Sequence, residues 1–256
     1  MLREALLGVL SGFVAGTMGG AFGVGGAIIT TPAVQVLLGA RPIIAVGTPL
    51  PVIFPTTLSA MQAYRRAGQI DYRAVRWAAP PGAAGAAGGA LLTNVVDARF
   101  LLLATAFLIA WQAVRVGLGR SAAEAPGRPI HPSAPAFVFM GTAAGFASGL
   151  LGIGGGVVMV PAMVGWLGMP LKRALGTSLV IIAFIVIPGT IVHAILGHID
   201  WAIALWLTLG VVPGAALGSR WTIRARERTL RLTVASFLMV VALAYGAFEI
   251  HDLIVP

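Results

Sequence analysis

The chain has 256 residues, of which 58 % are hydrophobic and only 10 % charged, with a mean hydropathy of +0.95. Soluble domains carry about 25 % charged residues, so a water-soluble globule, a disordered chain and a coiled coil are excluded, and lipid is the main solvent. Lys and Arg total 17 against 8 Asp and Glu, a net charge of +9, but these basic residues flank apolar runs, where they set membrane orientation rather than bind nucleic acid.

The first run begins near the N-terminus. Arg3 is followed at once by Glu4, and the stretch leads into glycines instead of a small-x-small cleavage site, so it reads as a membrane segment and not a signal peptide. Apolar runs cover residues 6–19, 27–38, 43–64, 75–96 and 100–118. Residues 120–135 then interrupt the pattern with Arg120, Glu124, Arg128, His131 and four prolines, which is linker chemistry. Runs resume at 137–151, 157–167, 175–196, 201–217 and 230–248. The longer ones suit helices of about 20 residues that cross a bilayer, whereas the second of each set is too short to cross comfortably alone. The absence of cysteine excludes disulfides, thiolate metal sites and dithiol relays.

The two sets are copies. A shift of 129 places Gly12, Gly16, Gly20, Gly23, Gly25 and Gly26 on Gly141, Gly145, Gly149, Gly152, Gly154 and Gly155 without a gap. It also matches Pro32-Ala33 with Pro161-Ala162, Gly47-Thr48 with Gly176-Thr177, Gly68-x-Ile70-Asp71 with Gly197-x-Ile199-Asp200, and Trp77 with Trp206. This is an internal duplication. The expected organisation is a first transmembrane repeat over 1–119, a cytoplasmic linker over 120–135 and a second transmembrane repeat over 136–256.

Charge gives the relation between the copies. Arg65, Arg66, Arg73 and Arg76 fill the loop between runs three and four of the first half, and the matching loop of the second half holds no Lys or Arg. The loop between runs four and five has only Arg99 in the first half but Arg220, Arg224, Arg226, Arg228 and Arg231 in the second. If each half crosses an odd number of times, fourteen of the 17 basic residues fall on one side and only Arg3, Arg41 and Arg99 on the other; parallel copies would split them eight against nine. The positive-inside rule favours inverted repeats, with both termini outside and the linker cytoplasmic.

Gly12-x3-Gly16-x3-Gly20 and its copy read as close helix packing. The denser stretches Gly23-Val24-Gly25-Gly26-Ala27 and Gly152-Ile153-Gly154-Gly155-Gly156 should break the helix, because each glycine costs about 1 kcal/mol against alanine. Irregular backbone survives in a bilayer only when buried in protein or lining a watery cavity. The flanking runs span roughly 21 and 18 Å against a core of about 30 Å. Run, break and run therefore form a hairpin, and inverted copies would bring two tips together near the midplane. Helix N-termini and glycine nests at such tips attract anions without a formal charge; the competing reading is that the glycines only let crossed hairpins touch. The spacing is not that of a dinucleotide fingerprint or a phosphate loop.

Thr48, Thr177 and Ser178 follow glycines at the start of the third runs, where a hydroxyl either caps a helix or donates to a ligand. Gln62 and Asn94 are lesser candidates. The Gly-x-Ile-Asp pairs read as a glycine stop followed by an Asp cap. Tyr72, Trp77, Trp201 and Trp206 suit interfacial belts. His193, where the first half has Tyr64, is a possible proton relay or a hydrogen-bonded structural residue. All eight acidic residues lie in loops or at run ends, so no mid-membrane carboxylate offers a sodium or proton site. No metal cluster, cofactor motif or catalytic constellation is visible, which speaks against an intramembrane enzyme. An anion exporter needs no such site, since a negative-inside potential drives each negative charge outward by about 2.3 kcal/mol per 100 mV.

These twinned motifs, Gly20-x-x-Gly23-x-Gly25-Gly26 with Pro32-Ala33 and Gly47-Thr48, then Gly149-x-x-Gly152-x-Gly154-Gly155-Gly156 with Pro161-Ala162 and Gly176-Thr177-Ser178, resemble the TauE/SafE family of sulfite and organosulfur anion exporters. The Gly-x-Ile-Asp turns and residues 213–218 are similar to that family too, and the likeness spans nearly the whole chain. It implies a multi-pass inner-membrane permease exporting sulfite, an organosulfonate or a related small anion. The expected fold is all-α and polytopic, with two inverted repeats of about five helical segments each. The expected substrate site is Gly23, Gly25, Gly26, Ala27 and Thr48 with Gly152, Gly154, Gly155, Gly156, Thr177 and Ser178, working by alternating access with no cofactor or metal. The expected partners are the small anion and the lipid bilayer. A non-transporting scaffold or accessory subunit of a membrane complex is the alternative.

Overall fold

The computed structural model describes residues 2–96 and 133–226, with positions scattered through 100–107 and 229–240. Most of the expected runs at 100–118 and 230–248, the linker as far as Pro132, and Arg99, Arg115, Arg120, Arg128, Arg228 and Arg231 lie outside the described residues.

Among the described residues the protein is all-α, without strands. In chain order the helices are α1 (Leu2–Phe22), α2 (Ala27–Pro32, continued by a π-helical turn Ala33–Leu37), α3 (Pro42–Gly47), α4 (Pro49–Arg66), α5 (Tyr72–Leu92), α6 (Ala134–Leu151), α7 (Gly156–Gly165), α8 (Leu171–Ile195) and α9 (Trp201–Arg224). Among the described residues, five stretches are long and apolar enough to cross a membrane: Arg3–Phe22, Pro42–Arg66, Ala134–Leu151, Leu171–Ile195 and Trp201–Arg224.

The turns form as their residues dictate. Gly68 at φ 67° and Gly197 at φ 70° end α4 and α8 in the left-handed conformation, and the Gln69 N–H closes back on the Tyr64 carbonyl at 2.9 Å. Asp71 Oδ1 then accepts from the backbone of Arg73 and Ala74 at 3.0 and 3.2 Å, and Asp200 Oδ1 does the same for Ala202 and Ile203 at 3.0 Å. These are the glycine stop and Asp cap read from the sequence.

Three elements depart from the expected boundaries. Run 6–19 was expected to span roughly 21 Å, but α1 continues through Phe22, a length of about 31 Å at 1.5 Å per residue. Its last turn is held from outside: Tyr64 Oη lies 3.1 Å from the carbonyls of Gly20 and Ala21, and Thr222 Oγ1 donates to Ala21 O at 3.0 Å. Run 43–64 divides at Thr48 into α3 and α4, whereas its copy is the unbroken α8. Pro49, which lacks an N–H, stands where the second half has Ser178. Finally, α6 takes in Ala134 and Pro135 from the end of the expected linker, because proline is favoured in a helix's first turn.

The halves interlock. The first helix of each half packs along the last described helix of the other: α1 on α9, and α6 on α5. A Cβ added at Gly12, Gly16 or Gly20 would strike the backbone of Leu207, Val211 or Ala215. A Cβ at Gly141, Gly145 or Gly149 would strike Ala78, Gly82 or Ala86, the same positions less 129. Each such pair is thus backbone against backbone, which is what a small-xxx-small stripe permits. α9 returns the favour with Gly210, Gly214 and Gly218 against Val9, Phe13 and Thr17.

Candidate functional site

The candidate site is where the two glycine breaks meet. Gly23, Gly25 and Gly26 take φ of 67°, 78° and 86°, and Gly152, Gly154 and Gly155 take 68°, 75° and 75°. Only glycine enters that region cheaply, and the reversal folds α2 back along α1 and α7 back along α6. A Cβ at Gly26 would lie 2.8 Å from the Ala15 carbonyl, and one at Gly155 would lie 2.7 Å from the Ala144 carbonyl. The tips touch one another: a Cβ at Gly156 would sit 2.5 Å from Val24 Cα and 2.7 Å from the Gly23 carbonyl oxygen. Residues 23–27 and 152–156 are all buried.

Two isoleucines related by the 129-residue shift fill the junction. Ile53 of α4 lies 2.7 Å from the Cβ position of Gly25 and 2.9 Å from that of Gly154. Ile182 of α8 lies 3.6 Å from that of Gly25 and 2.9 Å from that of Gly156. Both side chains are 1 % exposed or less. The described conformation is closed at the tips.

The hydroxyls separate into two roles. Ser178 reaches the first tip, its Oγ 2.7 Å from Gly23 O and 2.8 Å from Leu175 O, so its single proton is shared between two carbonyls. Thr177, one residue earlier, points round the helix. Its Oγ1 accepts from the Asp71 N–H at 2.8 Å, and Thr48 Oγ1 accepts from the Asp200 N–H at 3.0 Å. The two threonines therefore tie each half to the Gly-x-Ile-Asp turn of the other. Neither caps its own helix by a side-chain hydrogen bond.

His193 is fully buried. Its Nε2 lies 2.9 Å from the Gly149 carbonyl, which can only accept, so Nε2 carries the proton. Its Nδ1 faces His198 Nδ1 at 3.3 Å. Burial lowers the pKa of His198, in the connection after α8, below the ordinary histidine value. Tyr64, the counterpart of His193, bonds the counterpart carbonyl, Gly20 O. The histidine thus shares a helix-end role with the tyrosine, and its inner nitrogen meets backbone rather than a titratable group.

The sequence profile of the sulfite exporter TauE/SafE family matches residues 8–245. The chain belongs to the TauE/SafE family. It is 30 % identical to the probable membrane transporter protein YunE of Bacillus subtilis, over 95 % of this chain and 96 % of that one. It is likewise 30 % identical to a probable membrane transporter protein of Xylella fastidiosa, covering 93 % and 90 %. A probable membrane transporter protein of Methanocaldococcus jannaschii shares 26 % over 92 % of each chain. No solved structure matches the chain.

In this TauE/SafE membrane transporter Gly23, Gly25, Gly154, Gly156 and Ser178 meet at the junction of the tips, Gly26 and Gly155 pack on Ala15 and Ala144 of their own hairpins, Gly152 packs on Val46 and Ala27 is buried, while Thr48, Thr177 and His193 bond elsewhere. Sequence reasoning missed Tyr64, Ile53 and Ile182. The available signal was the 129-residue shift itself, which sets Ile53 on Ile182 within the runs that follow each tip. Gln62 and Asn94 are exposed and lie off the tips.

Proposed function

We propose that this TauE/SafE transporter exports a small sulfur oxyanion, sulfite or an organosulfonate, across the inner membrane by alternating access between inverted halves. The contact between the two buried glycine tips carries the reading. Two breaks that each bury irregular backbone, and that touch one another, supply oriented N–H groups in a low-dielectric site. Such a site holds an anion without a buried cation. Ile53 and Ile182 occupy the junction in the closed state and withdraw when either half tilts. The reciprocal packing of α1 on α9 and α6 on α5 supports two similar halves that rock against each other. The arginine segments support the inversion: Arg66 at the end of α4 and Arg220 and Arg224 at the end of α9 line one cleft, so these two helices end at the same face. Lys172 and Arg173, at the start of α8, join that face through Ile223 O at 2.8 Å and Asp71 at 4.0 Å. That face is cytoplasmic by the positive-inside rule.

Flux from proteoliposomes loaded with labelled sulfite or one of several sulfonates tests this. Efflux above that of empty vesicles is expected, rising with a potential negative on the loaded side. Ile53→Ala and Ile182→Ala should raise the rate for bulkier sulfonates relative to sulfite. Flux no greater than from empty vesicles for every anion tried, with stable co-purification of a partner, would replace transport by a scaffold role.

A further inference from the structure

A cleft of about 340 Å³ opens between the C-terminal ends of α4 and α9. Its polar lining is Ser59, Gln62, Arg66, Ser219, Arg220 and Arg224. The two serines are spent on helix carbonyls, Ser59 Oγ on Val212 O at 2.7 Å and Ser219 Oγ on Ala216 O at 3.2 Å. The donors left facing the opening belong to the three guanidinium groups and the Gln62 amide. None of the three arginines has a carboxylate partner among the described residues; the nearby pair is Arg173 with Asp71.

Packing does not demand this charge. α5 packs on α8 as α9 packs on α4, and a shift of 129 maps these six positions onto Pro188, Ile191, Ile195, Ala90, Leu91 and Val95, a set without a polar side chain. Nor do helix dipoles demand it. Two parallel C-termini bring roughly −0.5 charge each, which three guanidinium groups exceed by about two units. The positive-inside rule asks for basic residues on this face but not for three of them around one hollow. Paired N–H donors on guanidinium match the spacing of oxygens on sulfur or phosphorus.

We propose that this cleft binds an oxyanion of one or two negative charges, either the head of a sulfite or sulfonate arriving from solution or the phosphate of an anionic phospholipid. The site is separate from the glycine tips and does not rest on the transport reading. Binding, not flux, is therefore measured. The purified protein in zwitterionic nanodiscs is titrated with sodium sulfite and with inorganic phosphate, and separately placed in nanodiscs of graded phosphatidylglycerol content, with thermal stabilisation as the readout. The variants are Arg66→Gln/Arg220→Gln/Arg224→Gln and, as an equal-charge control on the same face, Arg65→Gln/Arg73→Gln/Arg76→Gln. All six arginines are exposed, and Arg220→Gln alone serves if the triple variant misfolds. The cleft variant should need about tenfold more of at least one probe for the same stabilisation, the loss of roughly one charge-assisted pair, while the control matches the wild type. A response to sulfite and phosphate assigns the site to a free anion, and a response only to phosphatidylglycerol assigns it to lipid. Equal stabilisation of the wild type and cleft variants by every probe, or equal loss in the control, would overturn the proposal.

Discussion

Gly25 and Gly155 stand at corresponding tips with φ of 78° and 75°, where an L-residue costs about 1–2 kcal/mol. What an added methyl would meet is different. At Gly25 it is Ile53 Cγ2 at 2.7 Å, a branch methyl that yields only with a shift of the isoleucine; at Gly155 it is the Ala144 carbonyl oxygen at 2.7 Å, which yields only with the helix backbone. Gly25→Ala should therefore lose less folded yield than Gly155→Ala while losing transport, and Gly155→Ala should lose both together. Size-exclusion yield measured beside flux separates the two, and full transport by Gly25→Ala would remove the tips from the substrate path. The tip glycines were legible in the sequence because their density alone forbids a helix. The fates of Thr48 and Thr177 were not. Each hydroxyl meets an N–H more than a hundred residues away, and nothing local announces such a partner. His193 was ambiguous for the same reason, since its meaning depends on the Gly149 carbonyl opposite it.

At the scale of elements, glycine stripes decide which helices adjoin. Gly145 on α6 presses directly on the backbone of Gly82 in α5, whereas Gly88 on α5 has nothing within 4 Å of its Cβ position. Gly145→Ala should push the two helices apart and lower the melting temperature. Gly88→Ala should raise it, because alanine is favoured over glycine in a helix by about 1 kcal/mol. A thermal melt of each variant in one detergent reads both; equal shifts would mean that the stripe is not the contact. The sequence showed the small-residue spacing and the Gly-x-Ile-Asp turns plainly, since both are local rules of backbone conformation. It did not show that the partner of each stripe belongs to the other half. It also underestimated α1, whose last turn is stabilised by Tyr64 and Thr222 rather than by its own propensity. The break between α3 and α4 was hidden inside one apolar run, although Pro49 marks it once the two halves are laid side by side.

For the whole molecule, the duplication and the exchanged arginine loops were readable from the sequence because both are matters of counting. The reciprocity of contacts goes further: Gly12, Gly16 and Gly20 meet Leu207, Val211 and Ala215, and the copies meet the same positions with the halves exchanged. The central claim is that the halves lie upside down relative to one another, with the arginine-lined ends of α4 and α9 at one face. The chain has no cysteine, so single-cysteine variants need no prior substitution. Ala67→Cys follows α4, Ala225→Cys follows α9, and Leu196→Cys stands after α8 at the position that copies Ala67. Labelling with a membrane-impermeant maleimide in intact cells and in inverted vesicles is the most direct measurement. Ala67→Cys and Ala225→Cys should react only in inverted vesicles, and Leu196→Cys only in intact cells. Reaction of Ala67→Cys and Leu196→Cys from the same side would contradict the inverted arrangement.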